Sequence, residues 1–163
     1  MVILGIDPGY GTIGYGVISY EGHSFRTIDF GAITTPPKMP FAQRLDIIYR
    51  EMGELIEHFK PDIMSIEKLF FNTNITTGIE VAHARGVILL SATRHSLPYK
   101  EYTPLQVKQA VVGYGRAEKK QVMLMTQSLL HLPSLPRPDD AADALALAVC
   151  LAHSTNSLLE ELK

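Results

Sequence analysis

The sequence predicts an α/β protein built on one mixed five-stranded sheet with helices on both faces. Three observations predict it. The first third of the chain reads as consecutive apolar strands joined by short turns. Long amphipathic helical segments then alternate with two further strands, and the final third is almost wholly helical. The order β-β-β-α-β-α-β followed by helices leaves no repeat, low-complexity segment or long linker, so a single domain spanning residues 1–163 is expected.

Each element has a local reason. Val2 to Ile6 is continuously apolar, as a strand buried on both faces should be, and Pro8-Gly9 stops it. Gly9, Gly11 and Thr12 suit a tight turn into a second strand from Ile13 to Tyr20. Glu21-Gly22-His23 turns the chain again into a third strand ending near Thr34, and short turns between three strands imply an antiparallel meander. Thr35-Pro-Pro-Lys-Met-Pro40 breaks the pattern. Leu45, Ile48, Tyr49, Met52, Leu55, Ile56 and Phe59 then recur at helical spacing, which predicts a helix from Phe41 to Phe59. Pro61-Asp62 introduces a strand from Ile63 to Glu67, a second long helix is expected from about Thr76 to Arg94, and a short strand follows Pro98. Thr103-Pro104 supplies a capping hydroxyl and a first-turn proline, and Gly113 closes the helix they start. Helices from about Lys119 to His131 and from about Pro138 to His153 complete the chain.

Composition excludes several classes. With 46% hydrophobic and 20% charged residues and a mean hydropathy of +0.08, the chain resembles an ordinary soluble globular protein. No uncharged apolar run approaches the roughly 18 residues a membrane helix needs. The start, Met1-Val-Ile-Leu-Gly-Ile-Asp7, lacks the basic region of a signal peptide, so a cytoplasmic protein is expected. Cys150, the single cysteine, lies in an apolar run and reads as a packed core thiol. A net charge of −2 argues at first against a nucleic-acid partner. Its distribution argues otherwise: Lys100, Lys108, Arg116, Lys119 and Lys120 face only Glu101 and Glu118 between Lys100 and Gln121.

The carboxylates carry the chemistry. Asp7 ends an apolar strand immediately before a proline-glycine break, and Glu67 ends another strand in the same way. An acid in such a place is costly unless solvated, paired or bound to metal. Either one alone reads equally well as a helix cap or as a partner for a lysine such as Lys68. In Asp139-Asp140-Ala-Ala-Asp143, Asp140 and Asp143 share a helical face. Asp139 is explained as a first-turn acid favoured by the helix dipole. Asp143 lies inside the helix among alanines, where nothing local rewards an acid. If the two strands are neighbours, Asp7, Glu67, Asp140 and Asp143 form an oxygen-only site suited to Mg²⁺ or Mn²⁺. No zinc spacing of His and Cys is present, and His83, His95 and His131 read as surface or packed residues. Such a carboxylate set predicts hydrolysis of a phosphate ester.

The segments Gly5-Ile-Asp-Pro-Gly9, Ile66-Glu67 followed by Phe70, Ala84-Arg-Gly86, Gln106-Val-Lys-Gln109, Val111-Val-Gly113, Ala117-Glu-Lys119 and Asp140-Ala-Ala-Asp-Ala-Leu-Ala146 span nearly the whole chain. In this order they resemble the RuvC-type Holliday junction resolvases. The resemblance implies an RNase H-like fold, which the strand pattern suits without requiring. It implies a homodimer that nicks two strands of a four-way DNA junction symmetrically, with Mg²⁺ or Mn²⁺ as metal and a branch-migration motor complex as partner. By position it implies metal-binding roles for Asp7, Glu67, Asp140 and Asp143, phosphate-facing roles for Lys108 and Lys119, and a stacking role for Phe70. Read from the residues alone, Lys108 and Lys119 are more readily solvated helix residues. Phe70-Phe71 precedes the polar run Asn72 to Thr77, where an aromatic could stack on splayed bases, worth roughly 1–3 kcal/mol per base. At least one of the two phenylalanines is expected to plug the core. The helix from Thr76 carries Ile79, Val81, Ala82, Val87 and Ile88, which would serve either a dimer interface or packing on the sheet.

Rival readings remain. Gly5 to Gly11 is also similar to the first phosphate loop of actin-like ATPases, but the chain is short for two such subdomains and offers no second glycine-rich loop. A junction-binding protein that cuts nothing, and a nuclease that trims RNA ends, are the other two.

Overall fold

The computed structural model describes residues 1–70 and 75–161, with backbone alone from residue 156 onward. Five strands form its sheet: β1 (Val2–Asp7), β2 (Thr12–Glu21), β3 (Ser24–Thr34), β4 (Ile63–Glu67) and β5 (Tyr99–Tyr102). Their spatial order is β3-β2-β1-β4-β5. The meander β1-β2-β3 is antiparallel, as the short turns predict, while β4 runs parallel to β1 and β5 parallel to β4. The parallel strands are reached through helices α1 (Phe41–Phe59) and α2 (Ile75–Arg94), because a parallel neighbour cannot be joined by a tight turn. Three more helices follow: α3 (Pro104–Val112), α4 (Lys119–Leu129) and α5 (Asp139–Glu161).

Alternation along the strands divides the interior into two cores. On one face Leu4, Ile6, Ile13, Val17, Met64 and Ile66 pack with Ile48, Met52 and Ile56 of α1 and with Ala84, Ile88 and Ala92 of α2. On the other face Ile3 and Ile18 pack with Val107 and Val111 of α3, Val122 of α4 and the buried run Leu145–Ala152 of α5. The helices therefore lie on both faces, as expected.

The second face is built for close approach. A Cβ at Gly5 would overlap the Ala144 carbonyl oxygen, and one at Gly14 would overlap the Asp140 carbonyl. Glycines on the sheet and alanines on α5 together let two backbones meet where side chains would normally separate them. Ser65 Oγ of β4 adds a tie, donating to the Leu147 carbonyl at 2.7 Å with the hydroxyl fully buried.

Boundaries differ from expectation at a few ends. α5 continues to Glu161 rather than stopping near His153, and α4 stops at Leu129, with His131 beyond it in the left-handed region at φ 52°. α2 starts at Ile75, so the end of the expected polar loop is already helical. Phe71 and the residues up to 74 lie outside the described ones. Ile88 is fully buried against the sheet and belongs to the core, not to an interface, whereas Ile79 is half exposed. Cys150 is 1% exposed, and burial lifts its thiol pKa to about 12, so it is the inert core thiol the sequence implies. Among the described residues no helix is long and apolar enough to cross a membrane.

Candidate active site

Register brings the first two acids together. Ile6 of β1 pairs with Ile66 of β4 in parallel, so Asp7 and Glu67 leave the sheet side by side at the carboxyl ends of adjacent strands. Alternation puts both on the face of Gly5 and Ser65, the residues that touch α5. Asp140 and Asp143 then enter from the first turns of α5, one helical turn apart. Gly14 matters here, since its missing side chain lets the Asp140 backbone rest on β2.

The resulting cavity, about 300 Å³, is lined by Asp7, Glu67, Asp143, Lys108 and Lys119 over an apolar floor that includes Val107, Val122 and Leu147. Both lysines are placed by helix caps. Thr103 and Gln106 form a reciprocal capping box at the start of α3, with bonds of 3.1 and 2.9 Å, and this fixes the helix that carries Lys108. Glu118 and Gln121 do the same for α4, whose first residue is Lys119.

Electrostatics mark the site as short of positive charge. The Asp7 carboxyl is pushed up to a pKa of about 8, first by burial and then by Glu67, Asp143 and Asp140, the last sharing a hydrogen bond with it. Glu67 is also raised, by burial and then by Asp143, with Lys119 opposing the shift. Asp143 is raised by burial despite its ion pair with Lys119, whose Nζ lies 3.2 Å away. Lys119 is raised in turn, chiefly by Asp143. It is the only cation ion-paired to these four acids among the described residues.

A divalent cation is the natural complement, and the donor chemistry fits one: hard carboxylate oxygens with no sulfur or imidazole. Spacing is a separate matter. Among the described residues, no three acids, histidines or cysteines stand close enough to grip an ion as they are. Besides burial, like charges raise Asp7, Glu67 and Asp143 alike. A bound cation would remove the repulsion.

Phe70 is 54% exposed beyond the end of β4, outside the core, and Phe71 lies outside the described residues. Glu67 makes no ion pair with Lys68 among the described residues, and Asp139 meets Arg137 at 2.6 Å. His95 bonds the Ser91 carbonyl and Glu57, far along the chain from the acids, and His83 packs against the Phe41 ring.

Two arginines have roles that the sequence does not assign, although Arg85 lies in the Ala84-Arg-Gly86 segment. Arg85 of α2 donates from Nε to the Glu67 carbonyl at 3.2 Å and from Nη2 to Glu101 at 2.8 Å, bracing the strand end that carries Glu67. Arg44 of α1, 8% exposed, bonds the Thr35 hydroxyl and the Tyr10 carbonyl. The Ala84-Arg-Gly86 segment was the available signal for Arg85, and a cation four residues into an amphipathic helix is no signal at all.

A mixed sheet in this order, with acids at the ends of its two central strands and a third source of acids on the helix across them, defines an RNase H-like nuclease. The chain belongs to the RuvC family, crossover junction endodeoxyribonucleases, whose model matches residues 3–151. It is 60% identical to the crossover junction endodeoxyribonuclease RuvC of Alkaliphilus metalliredigens over 94% of both chains. It is 56% identical to that of Alkaliphilus oremlandii over 96% of this chain and 95% of the relative. The solved structure of Thermus thermophilus RuvC in complex with Holliday junction substrate superposes with a TM-score of 0.92 at 34% identity, covering 96% of each chain.

Proposed function

We propose that this chain resolves four-way DNA junctions by paired, symmetric phosphodiester hydrolysis, and that Asp7, Glu67, Asp140 and Asp143 hold Mg²⁺, or Mn²⁺ in its place, as one or two ions. The observation that carries the reading is the convergence of acids from two strand ends and one helix: Asp7, Glu67 and Asp143 line a cavity with Lys108 and Lys119, and Asp140 shares a hydrogen bond with Asp7. Family membership and the likeness to a relative solved with Holliday junction substrate support it.

When bound, the metal supplies the positive charge that acidifies the attacking water and stabilises the leaving oxygen. The chain's own residues do the rest. Asp7 and Glu67, fixed by the register of two central strands, give the site its rigid side. Asp140 and Asp143 give it a second side whose distance is set by the glycine contacts of α5. Lys119, paired with Asp143 and largely exposed, and Lys108 on the cavity wall draw the phosphate backbone towards the acids. Phe70, projecting into solvent beyond Glu67, stacks on bases opened at the junction centre.

The chain acts as a single nuclease domain in a homodimer, because two symmetric incisions need two sites related by the approximate two-fold of the junction. Ile75 and Ile79, one turn apart on α2 and both exposed, offer an apolar patch to a second copy. A branch-migration motor complex is its partner, in the cytoplasm. The test is a synthetic four-way junction incubated with the protein and Mg²⁺ and scored for nicks. Paired symmetric nicks are expected. An intact junction alongside trimming of a structured RNA would overturn the reading.

A further inference from the structure

Arg44 stands out among the charged groups that the chemistry above does not use. It is 8% exposed, yet among the described residues no carboxylate pairs with it. Its Nε donates to Thr35 Oγ1 at 2.8 Å and its Nη2 to the Tyr10 carbonyl at 3.4 Å, while the guanidinium stacks 4.9 Å over the Tyr10 ring. All of these partners are neutral. A buried cation without an anion is costly, and neutral oxygens recover only part of that cost.

The guanidinium is also not fully enclosed. Nη1 has no hydrogen bond to a described residue, and the sole buried side-chain polar atom without a partner among them is Thr27 Oγ1. Nη1 therefore reaches solvent, and Arg44 lines a cavity of about 510 Å³ with Gly9, Tyr10, Gly11, Thr12, Pro37 and Val81. No acid lines it. Any side chain at Gly11 would begin 3.3 Å from Nη2, so glycine keeps the guanidinium edge open to a ligand.

The place is as informative as the charge. The cavity lies at the turn that follows Asp7, at the same carboxyl rim of the sheet, but Tyr10 packs with the α1/α2 core and Asp7 faces α5. The Cα atoms of Asp7 and Tyr10, three residues apart, are within about 11 Å of each other. At about 3.4 Å of rise per nucleotide, that spans about three nucleotides of one strand. We propose that Arg44 and the Gly9–Thr12 turn form a subsite for a backbone phosphate of the bound DNA strand, across β1 from the acids. The subsite rests on the DNA-cutting function proposed above. It holds the strand on the far side of the cleavage point, so that the scissile phosphate is gripped from both directions. Arginine suits the task because its planar fork can bond a phosphate and the Tyr10 loop at once.

The test compares wild-type protein with Arg44→Gln in binding a synthetic four-way junction at several salt concentrations without Mg²⁺. The expected result is a salt slope lower by about 0.7–0.9 for each phosphate the variant no longer neutralises, with melting temperatures that show both proteins folded. A purely structural role would lower the melting temperature and leave the slope unchanged, and that outcome overturns the proposal. A second measurement replaces single phosphates near the cleavage point by neutral methylphosphonates. Wild type should weaken at one position within about three nucleotides, and Arg44→Gln should be indifferent there. If Arg44→Gln does not fold, Arg44→Lys serves in the scan: a changed response at that one phosphate supports the subsite, and an unchanged scan overturns it. Inorganic phosphate that stabilises wild type but not the variant, with no change in junction slope, assigns the cavity to a free anion and refutes the DNA contact. Wild type that neither binds nor cuts the junction refutes the function and the subsite together. Wild type that binds with the slope of the variant refutes the subsite alone.

Discussion

The two faces of the sheet are both apolar and buried, but they are built differently and they handle charge in opposite ways. The face under α1 and α2 is filled by large aliphatic side chains, among them Leu4, Ile6, Ile48, Met52, Met64 and Ile66, and its one buried charge among the described residues is a cation, Arg44. Under α5 the sheet offers glycine and the helix offers alanine, so backbone meets backbone, and the charges gathered at its end are acids. Side chains hold layers about 10 Å apart, whereas glycine against alanine brings them closer. That closeness is what carries Asp140 and Asp143 to Asp7 and Glu67. In each case the protein leaves a charge its own residues do not neutralise: on the α5 face a deficit of cations, on the other a guanidinium bonded only to neutral oxygens. The first charge suits a cation, and the second lies where we propose that the polyanion binds.

The largest expected effect comes from removing an acid. Asp7→Asn should lower junction cleavage on the order of a thousandfold, about 4 kcal/mol, while sparing junction binding. Cleavage at the wild-type rate would dissolve the metal site. Next comes the close contact itself. Gly14→Ala places a methyl into the Asp140 carbonyl, which belongs to the helix backbone and cannot swing aside. We expect a loss of about 3 kcal/mol by chemical denaturation, with cleavage falling well beyond what the reduced stability explains. A fully active Gly14→Ala protein would show that the acids do not depend on the approach of α5.

Much of this contrast was legible in the sequence. Asp7 and Glu67 could be placed at strand ends because apolar runs stop abruptly there, and the i, i+3 pair Asp140/Asp143 needs only helix geometry. The alanine-rich α5 could be read as closely packed. What it packs against could not, because Gly5 and Gly14 read from sequence as turn formers or weak strand residues, and the α5 contact that requires them spans more than a hundred positions. Arg44 and Arg85 were hidden for a related reason. Their meaning lies in partners such as the Tyr10 carbonyl and the Glu67 carbonyl, and backbone atoms leave no trace in a side-chain pattern.

Acidity gives a smaller effect with a definite sign. Because the Asp7 pKa is lifted from 3.8 to about 8, the unfolded chain ionises this group from about pH 4 upward while the folded chain retains the proton. The stability it contributes is complete below pH 4, declines through that window and is flat above about pH 8; Glu67 and Asp143, also raised, act in the same direction. The unfolding free energy of metal-free Asp7→Asn should therefore exceed that of wild type by a margin that grows between pH 6 and pH 8, by about 1–2 kcal/mol. Excess Mg²⁺ should shrink the margin, since ligand that binds only the folded state stabilises it. A margin independent of pH would mean that Asp7 ionises freely in the folded protein.

The smallest effect is the control that gives the others their meaning. Ile48 is fully buried on the aliphatic face, and Ile48→Val removes one methylene from a packed core without touching any acid. It should cost about 1 kcal/mol, read as a shift in denaturation midpoint, and leave cleavage per folded molecule unchanged. Large side chains on that face can relax into a small void, because rotamers there have somewhere to go. The α5 face has no such slack at Gly5 and Gly14, where the sheet meets the helix backbone itself. If Ile48→Val reduced cleavage as Gly14→Ala is expected to, the site would depend on the rigidity of the whole sheet rather than on the approach of one helix, and the two faces would be equivalent for catalysis.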